Sequence, residues 1–393
     1  MIAAIWGQYL ALPQFHSIFL FRLFPLHFII FLLTRKKITF NKLIIYIFYC
    51  YTAWFIWSTF TLLWSPFLNL SLSALYYQVE AFYLLFFIVF YFGNSTGLKQ
   101  FRLLMNINFP FVIGIGITEI LTGNHLKFSS SNLHNYIDYR PTGMMVNTND
   151  YAAVVVFFLI VFLMTPIQDT HLKRVLDLGA IVITAYIIFN TNSRSALITF
   201  ILAILLYFIS GLLSVQKNFF VLLLILLIII IFCTLLINYV QLFNVLDRFL
   251  NKTNSTDERK SIYNYVVHLC ESTNYLGLGV GATPHYVFYY VKNPIVISRT
   301  VNKVMGVHNF LLAILSDTGI LGLLPMLLFL ETILLNSLSY IKKNFSVFFS
   351  SFSLLACFLG ASIGSSSIFE MRIIWICLGY CIAILSSNSE KEF

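Results

Sequence analysis

Charge is what this 393-residue chain lacks. Asp, Glu, Lys and Arg make up 10% of it, against about a quarter in an ordinary soluble domain, and that scarcity excludes a water-soluble globular fold. Six cysteines (Cys50, Cys233, Cys270, Cys357, Cys377 and Cys381) form no CxxC pair, and most fall within apolar runs. They read as small buried hydrophobes, which excludes a disulfide framework and a cysteine-ligated metal site. The period-2 alternation of a membrane β-barrel is absent too. What is abundant is apolar side chain: 59% of residues are hydrophobic, with 41 Phe and 22 Tyr spread along the chain. Such a composition cannot stay solvated, so disorder is excluded and a polytopic membrane protein remains.

A helix crossing the hydrocarbon needs about 20 apolar residues, and lipid tolerates helices because they pair their own backbone polar groups. The apolar runs predict spans at 16–33, 43–63, 71–92, 103–121, 146–165, 175–190, 195–213, 219–239, 309–336, 345–364 and 373–386. The expected fold class is therefore all-α, a polytopic helix bundle of about eleven spans. Residues 1–239 would carry spans 1–8, residues 240–308 a long external loop, and residues 309–393 spans 9–11 and a cytoplasmic tail. The stretch 1–12 is too short to span and lacks a basic start, so it reads as an interfacial segment or the remnant of a longer N-terminus.

The formal charge of +9, from 24 Lys+Arg against 15 Asp+Glu, acquires meaning once divided between faces. One set of alternate loops carries Arg35, Lys36, Lys37, Lys42, Lys99, Arg102, Lys173, Arg174, Lys217, Lys342, Lys343 and Lys391, and is read as cytoplasmic. The other short loops carry Lys127, Arg140, Arg194 and Arg372, and are read as external, with the loop 240–308 on the same side. No cytoplasmic loop is long enough to hold a nucleotide-binding domain, so the chemistry is expected outside or within the membrane. Within the spans, Arg22, Asp177 and Glu331 read as structural or interfacial charges, while Glu80 and Asp317 are left open.

Three external arginines stand in recognisable settings. Arg140 begins Arg140-Pro141-Thr142-Gly143, which leads to Asn147-Thr148-Asn149-Asp150. Arg194 lies in the turn Asn190-Thr191-Asn192-Ser193-Arg194-Ser195. Arg259 precedes an amphipathic stretch, Ile262, Tyr265, Val266 and Leu269, suited to the membrane surface. A planar guanidinium is well matched to phosphate, and several would suit a diphosphate. His308-Asn309 then opens the ninth span, with Gly319 and Gly322 about three turns on, where glycine permits a bend or close helix approach. Gly277-Leu278-Gly279-Val280-Gly281 imitates a dinucleotide loop, but it follows no strand of a βαβ unit and reads as a turn. Arg248, Lys292, Arg299 and Lys303 read as solvated loop charges.

His308-Asn309-x9-Gly319-x2-Gly322-Leu323, Asn192-Ser193-Arg194-Ser195, and Arg259 followed by Leu276-Gly277-Leu278-Gly279-Val280-Gly281 together resemble the O-antigen ligase/polymerase superfamily of bacterial membrane glycosyltransferases. With Arg140-Pro141-x-Gly143 the resemblance covers about residues 135–335. The chain counts one span fewer than the family often has. The resemblance implies a helical fold similar to the membrane glycosyltransferase C type, in the bacterial cytoplasmic membrane, with its active site on the external face. It also implies an undecaprenyl-diphosphate-linked oligosaccharide donor, a glycan acceptor hydroxyl, and a chain-length regulator and a flippase as partners alongside membrane lipids. No nucleic acid, no cofactor and no metal is expected. In this reading Arg194, Arg259 and Arg140 bind the diphosphate, and His308 takes the acceptor proton, with Arg259 supporting catalysis. Asn309, Asn147 and Asn149 are candidate glycan contacts. Polymerisation of repeat units is the preferred activity; ligation of finished glycan to another acceptor, and export of the lipid-linked substrate, are the alternatives.

Overall fold

The computed structural model describes residues 1–12, 15–34, 41–133, 139–166, 170–213, 253–292, 306–364 and 368–389. The expected span 219–239, Cys233, and the loop residues 240–252 and 293–305 lie outside them. Helices α1 (Ile2–Trp6), α2 (Phe24–Thr34), α3 (Lys42–Phe60), α4 (Leu68–Phe92) and α5 (Ser95–Thr122) are followed by α6 (Ser130–Leu133), α7 (Thr148–Leu163), α8 (Thr170–Thr191) and α9 (Arg194–Leu212). The loop segment contributes α10 (Thr253–Ser272) and α11 (Thr283–Lys292), and α12 (Phe310–Ser339), α13 (Phe345–Gly364) and α14 (Arg372–Ser389) complete the bundle. The chain is a polytopic membrane helix bundle: among the described residues six helices are long and apolar enough to cross a membrane, with α7 and α14 apolar but shorter.

Two helices form the centre. From Tyr151 to Val161 every residue of α7 is buried, and so is every residue of α14 from Ile373 to Leu385. A helix apolar all round belongs in a core, and here the amphipathic or lipid-facing helices surround it. α14 packs against α4 and α13, and α7 packs against α5, α8, α9 and α13. Asparagine side chains begin several of the helices. Asn41, Asn94, Asn147 and Asn309 accept from the N–H groups of Ile44, Gly97, Asp150 and Leu312 at 2.8, 2.7, 2.9 and 3.1 Å. Each satisfies a backbone donor that has no partner within its own helix.

The first expected span is corrected. Residues 15–19 form a strand paired antiparallel with Ala11–Leu12, a 3₁₀ turn follows at Leu20–Leu23, and α2 has 11 residues, about 16 Å. Pro25 explains the short helix: proline belongs in a first turn, and its ring opposes helical geometry in the residue before it. Residues 1–12 pack on the bundle. Ala4 and Ile5 are buried, and the Trp6 indole donates to Asn108 Oδ1 of α5 at 2.9 Å.

The charged spans divide as well. Asp177 pairs with Lys173 one turn away and accepts the Tyr207 hydroxyl at 2.5 Å, a structural arrangement at the lysine-rich end of the bundle. Cys50, Cys270, Cys357, Cys377 and Cys381 are buried and unbridged, as small apolar residues would be.

Candidate functional site

The helix opened by His308-Asn309 is two pieces. Gly319 has φ 68° and ψ −169°, far from helical values, and separates Phe310–Thr318 from the span that continues to Ser339. Beyond the break, Gly322 meets Trp57 and Phe329 meets Tyr51, so the span runs antiparallel beside α3. Before it, Phe310 packs on Phe358, Phe369 and Trp375, deep among α13 and α14. The first piece therefore lies against α13 and α14, with the half-buried His308 at its start. The ninth span expected from residue 309 is present, interrupted at Gly319.

A broken helix leaves backbone groups without partners, which in lipid is prohibitive. The glycine-rich turn supplies them. Leu278 and Gly279 donate to the carbonyls of Ser316 and Asp317 at 2.8 and 2.9 Å, and Ile320 donates to Tyr275 O at 3.0 Å. The Asp317 carboxylate accepts from the N–H groups of Gly281 and Thr283, both at 2.9 Å, and from the Thr283 hydroxyl. Indoles close the joint: Trp57 donates to Thr318 O at 2.7 Å and Trp64 to Gly277 O at 3.0 Å. Glycine is required on both sides. A Cβ on Gly277 would lie 2.6 Å from Asp317 O, and one on Gly319 would lie 2.3 Å from Tyr275 O. The turn is thus a plug, and Asp317 is its staple.

Beside this joint lies a cavity of about 660 Å³. Its wall includes Trp6 and Tyr9 of the N-terminal segment, Tyr77 and Gln78 of α4, Met144 to Asn147, His308 and Asn309, and residues 368–373. His308 adopts φ 55°, a left-handed conformation unfavourable for a residue with a Cβ. The Tyr263 hydroxyl of α10 donates to its carbonyl at 3.1 Å. Strain maintained by surrounding contacts is a mark of functional positions. Burial pushes the Tyr263 hydroxyl above its ordinary pKa, with the nearby Arg259 charge pulling the other way, so it remains a donor at neutral pH.

The expected site residues fall into two groups. His308, Asn309 and Asn147 line the cavity; Arg140, Arg194, Arg259 and Asn149 are not among its described lining residues. Asn309 and Asn147 are also helix caps, so one oxygen of each is committed to backbone; Asn147 Nδ2 further donates to Asp150 at 2.7 Å. Arg259 sits one turn before Tyr263, within electrostatic reach of it, and so is linked to His308 through that hydroxyl. The apolar face of α10, Ile262, Val266 and Cys270, packs on Val287, Val307 and the first turns of α12, in place of the membrane surface. Tyr265 stacks on Tyr290 at 4.0 Å.

Arg194 opens α9, whose Ser195 and Thr199 meet Gly364 and Gly360 of α13. The small residues let these two helices approach closely. The Arg140-Pro141-Thr142-Gly143 motif is a turn built on a buried carboxylate. Glu119 of α5 accepts from the N–H groups of Thr142 and Gly143, both at 2.7 Å, while Arg140 is exposed. Gly143 has φ 52°, and a Cβ there would strike the Tyr151 ring at 2.2 Å. The turn delivers Met144 to Asn147 to the cavity wall.

Sequence reasoning missed Glu119 and the role of Arg372. Arg372 lines the cavity, 4.0 Å from the buried Glu80 carboxylate and 5.3 Å from the centre of the Phe21 ring. The signal available was a lone arginine immediately before the last apolar run.

Residues 179–330 match a family model described as O-antigen ligase, and that stretch contains the Arg194 turn, α10, the glycine-rich turn and the broken helix. The teichuronic acid biosynthesis protein TuaE of Bacillus subtilis (strain 168) is 25% identical over 357 residues, which cover 86% of this chain and 70% of that protein. The broken helix opened by His308-Asn309 and the turn that plugs it thus lie in a stretch similar to the O-antigen ligase family, and the chain is similar to TuaE over most of its length.

Proposed function

We propose that the protein is a membrane glycosyltransferase that polymerises polysaccharide repeat units from undecaprenyl-diphosphate-linked donors, with its cavity open to the external face of the cytoplasmic membrane. The observation that carries this reading is His308, held in a strained conformation on the wall of a cavity large enough for sugar residues and a diphosphate. The acceptor hydroxyl oxygen attacks the anomeric carbon of the donor glycan. The bond from that carbon to the diphosphate oxygen breaks, and the lipid diphosphate leaves with the electron pair. His308 takes the hydroxyl proton as the new glycosidic bond forms. One displacement without an enzyme nucleophile inverts the anomeric centre.

The leaving diphosphate needs positive charge more than it needs a proton, and Arg194 and Arg259 are proposed to supply it at the cavity end of the bundle, with Arg140 in the exposed turn nearby. Asn147, Asn149 and Asn309 are proposed glycan contacts. The positive-inside rule supports the orientation, because the Lys42, Lys99, Arg102, Lys173, Arg174, Lys342 and Lys343 positions fall at the opposite end. A chain-length regulator and a flippase are proposed partners.

The test is to incubate the purified protein with a lipid-linked repeat unit alone. A ladder of longer lipid-linked glycans supports polymerisation. The matching family's description favours a second reading, ligation, in which nothing changes until a separate acceptor is supplied. No transfer under either condition overturns both.

A further inference from the structure

We propose that Trp54 of α3 and Gln78 of α4 form a hydroxyl-binding subsite in the cavity, which takes a sugar hydroxyl of the glycan. The proposal deepens the transfer reading and rests on it for the class of substrate.

Position is the first argument. Leu70, Ser73, Ala74, Tyr77 and Gln78 all line the cavity, and their spacing of three and four residues puts them on one face of α4. α3 presents Trp54 to the same cavity. The two helices fix Gln78 at that level: the Tyr51 hydroxyl donates to its main-chain carbonyl at 2.8 Å, and its amide Nε2 donates to Ser58 Oγ at 3.4 Å. Trp54 lies between Tyr51 and Ser58 on the same face of α3, so the indole and the amide are neighbours.

Unmet hydrogen bonding is the second argument. Trp54 is 0% exposed and Gln78 1%, and Trp54 Nε1 and Gln78 Oε1 are buried with no hydrogen-bond partner among the described residues. Buried polar groups are nearly always paired, because a bare one has lost water without gaining a partner. The two atoms are complementary in kind: the indole N–H only donates, and the amide oxygen only accepts. One hydroxyl answers both, accepting from Trp54 while donating its proton to Gln78. A phosphate or carboxylate oxygen would satisfy the indole but has no proton for the amide, and an apolar chain satisfies neither.

The third argument is proximity to the proposed chemistry. The Trp54 ring stacks on Phe369 with centroids 5.7 Å and planes 17° apart, and Phe369 packs on Phe310 at 5.2 Å. Phe310 directly follows His308-Asn309. A sugar whose hydroxyl reaches Trp54 and Gln78 therefore shares one cavity with the histidine. Burial of the pair also confers selectivity. A deoxy sugar leaves both atoms bare, so the subsite discriminates on the presence of that hydroxyl.

The test uses the full chain in lipid nanodiscs. One probe is the repeat-unit oligosaccharide released from its lipid carrier, free of lipid and phosphate; the other is inorganic pyrophosphate. Binding is read by titration and folding by melting temperature. Gln78→Met keeps the volume and removes the amide, and Trp54→Phe keeps an aromatic ring and removes the N–H. Each is expected to weaken the oligosaccharide about tenfold, with pyrophosphate binding and the melting temperature kept. Should Trp54→Phe not fold, Gln78→Met decides alone. A wild type that does not bind the oligosaccharide, folded variants that bind it as the wild type does, or losses that extend equally to pyrophosphate overturn the subsite. Weakened oligosaccharide alongside a wild type that makes no ladder keeps the subsite and sinks the transfer reading; unchanged binding with an intact ladder does the reverse.

Discussion

Two carboxylates are buried in this bundle within reach of the same cavity, and they have opposite surroundings. Asp317 accepts two backbone N–H groups and a hydroxyl from the turn that plugs the broken helix. Glu80 has no backbone donor among the described residues; the Tyr76 hydroxyl is its neighbour and an arginine lies 4.0 Å away. A buried charge is costly in either place, so each must return something to be retained. Asp317 returns structure, because its removal would strand three donors. Glu80 returns a counter-charge to an arginine on the cavity wall. The number of partners a buried charge has, more than its depth, separates residues that hold the fold from residues that serve the substrate.

The comparison divides the cavity wall, and five experiments can break or sharpen it. His308 stands on the serving side. His308→Ala is expected to lower ladder formation by about 10²- to 10⁴-fold while the melting temperature holds, and an unchanged rate would remove it from the mechanism. Asp317→Ala should do the reverse, with a loss of about 3 kcal/mol in stability that appears as a lower melting temperature in detergent. Gly319→Ala and Gly277→Ala break the same joint from its two sides. Each is expected to lose about 2 kcal/mol, and the double variant to lose less than the sum, since one undocking removes what both protect; additive losses would show that the joint is not one unit. Glu80→Gln should shift stability by less than about 1 kcal/mol in either direction yet reduce transfer, and a large stability loss would move Glu80 to the holding side. The smallest effect is expected at Cys270. Burial pushes its thiol up to about 11, so a maleimide at neutral pH should label it far more slowly than an exposed cysteine.

Much of the bundle was legible because lipid enforces a simple rule of length and polarity. The runs around α3, α4, α5, α9, α12 and α13 could be placed from hydropathy, and the break in α12 was signalled by Gly319 after nine residues of His-Asn-led helix. The glycine-rich turn could be recognised as a turn, but its seat could not, because docking depends on carbonyls exposed only after the helix breaks. Arg140-Pro141-Thr142-Gly143 was noticed for its cation, whereas the structure uses its backbone N–H groups and its glycine. Main-chain donors have no letter in a sequence. Arg372 was read as a loop cation, and its place on the cavity wall beside Glu80 depends on packing between α4 and α14 that no local pattern reveals. The first span failed for a local reason, Pro25, whose effect on helix length was outweighed in the reading by the hydropathy around it.

The joint between the turn and the broken helix also implies an order of biogenesis. Residues 275–283 precede α12 in the chain, so the plug has been synthesised before the segment that needs it emerges from the insertion machinery. A helix with an open break is a poor guest for lipid, and α12 can enter stably as soon as the preceding loop folds back upon it. Membrane integration of the last three described helices is therefore coupled to the folding of a segment that itself spans nothing.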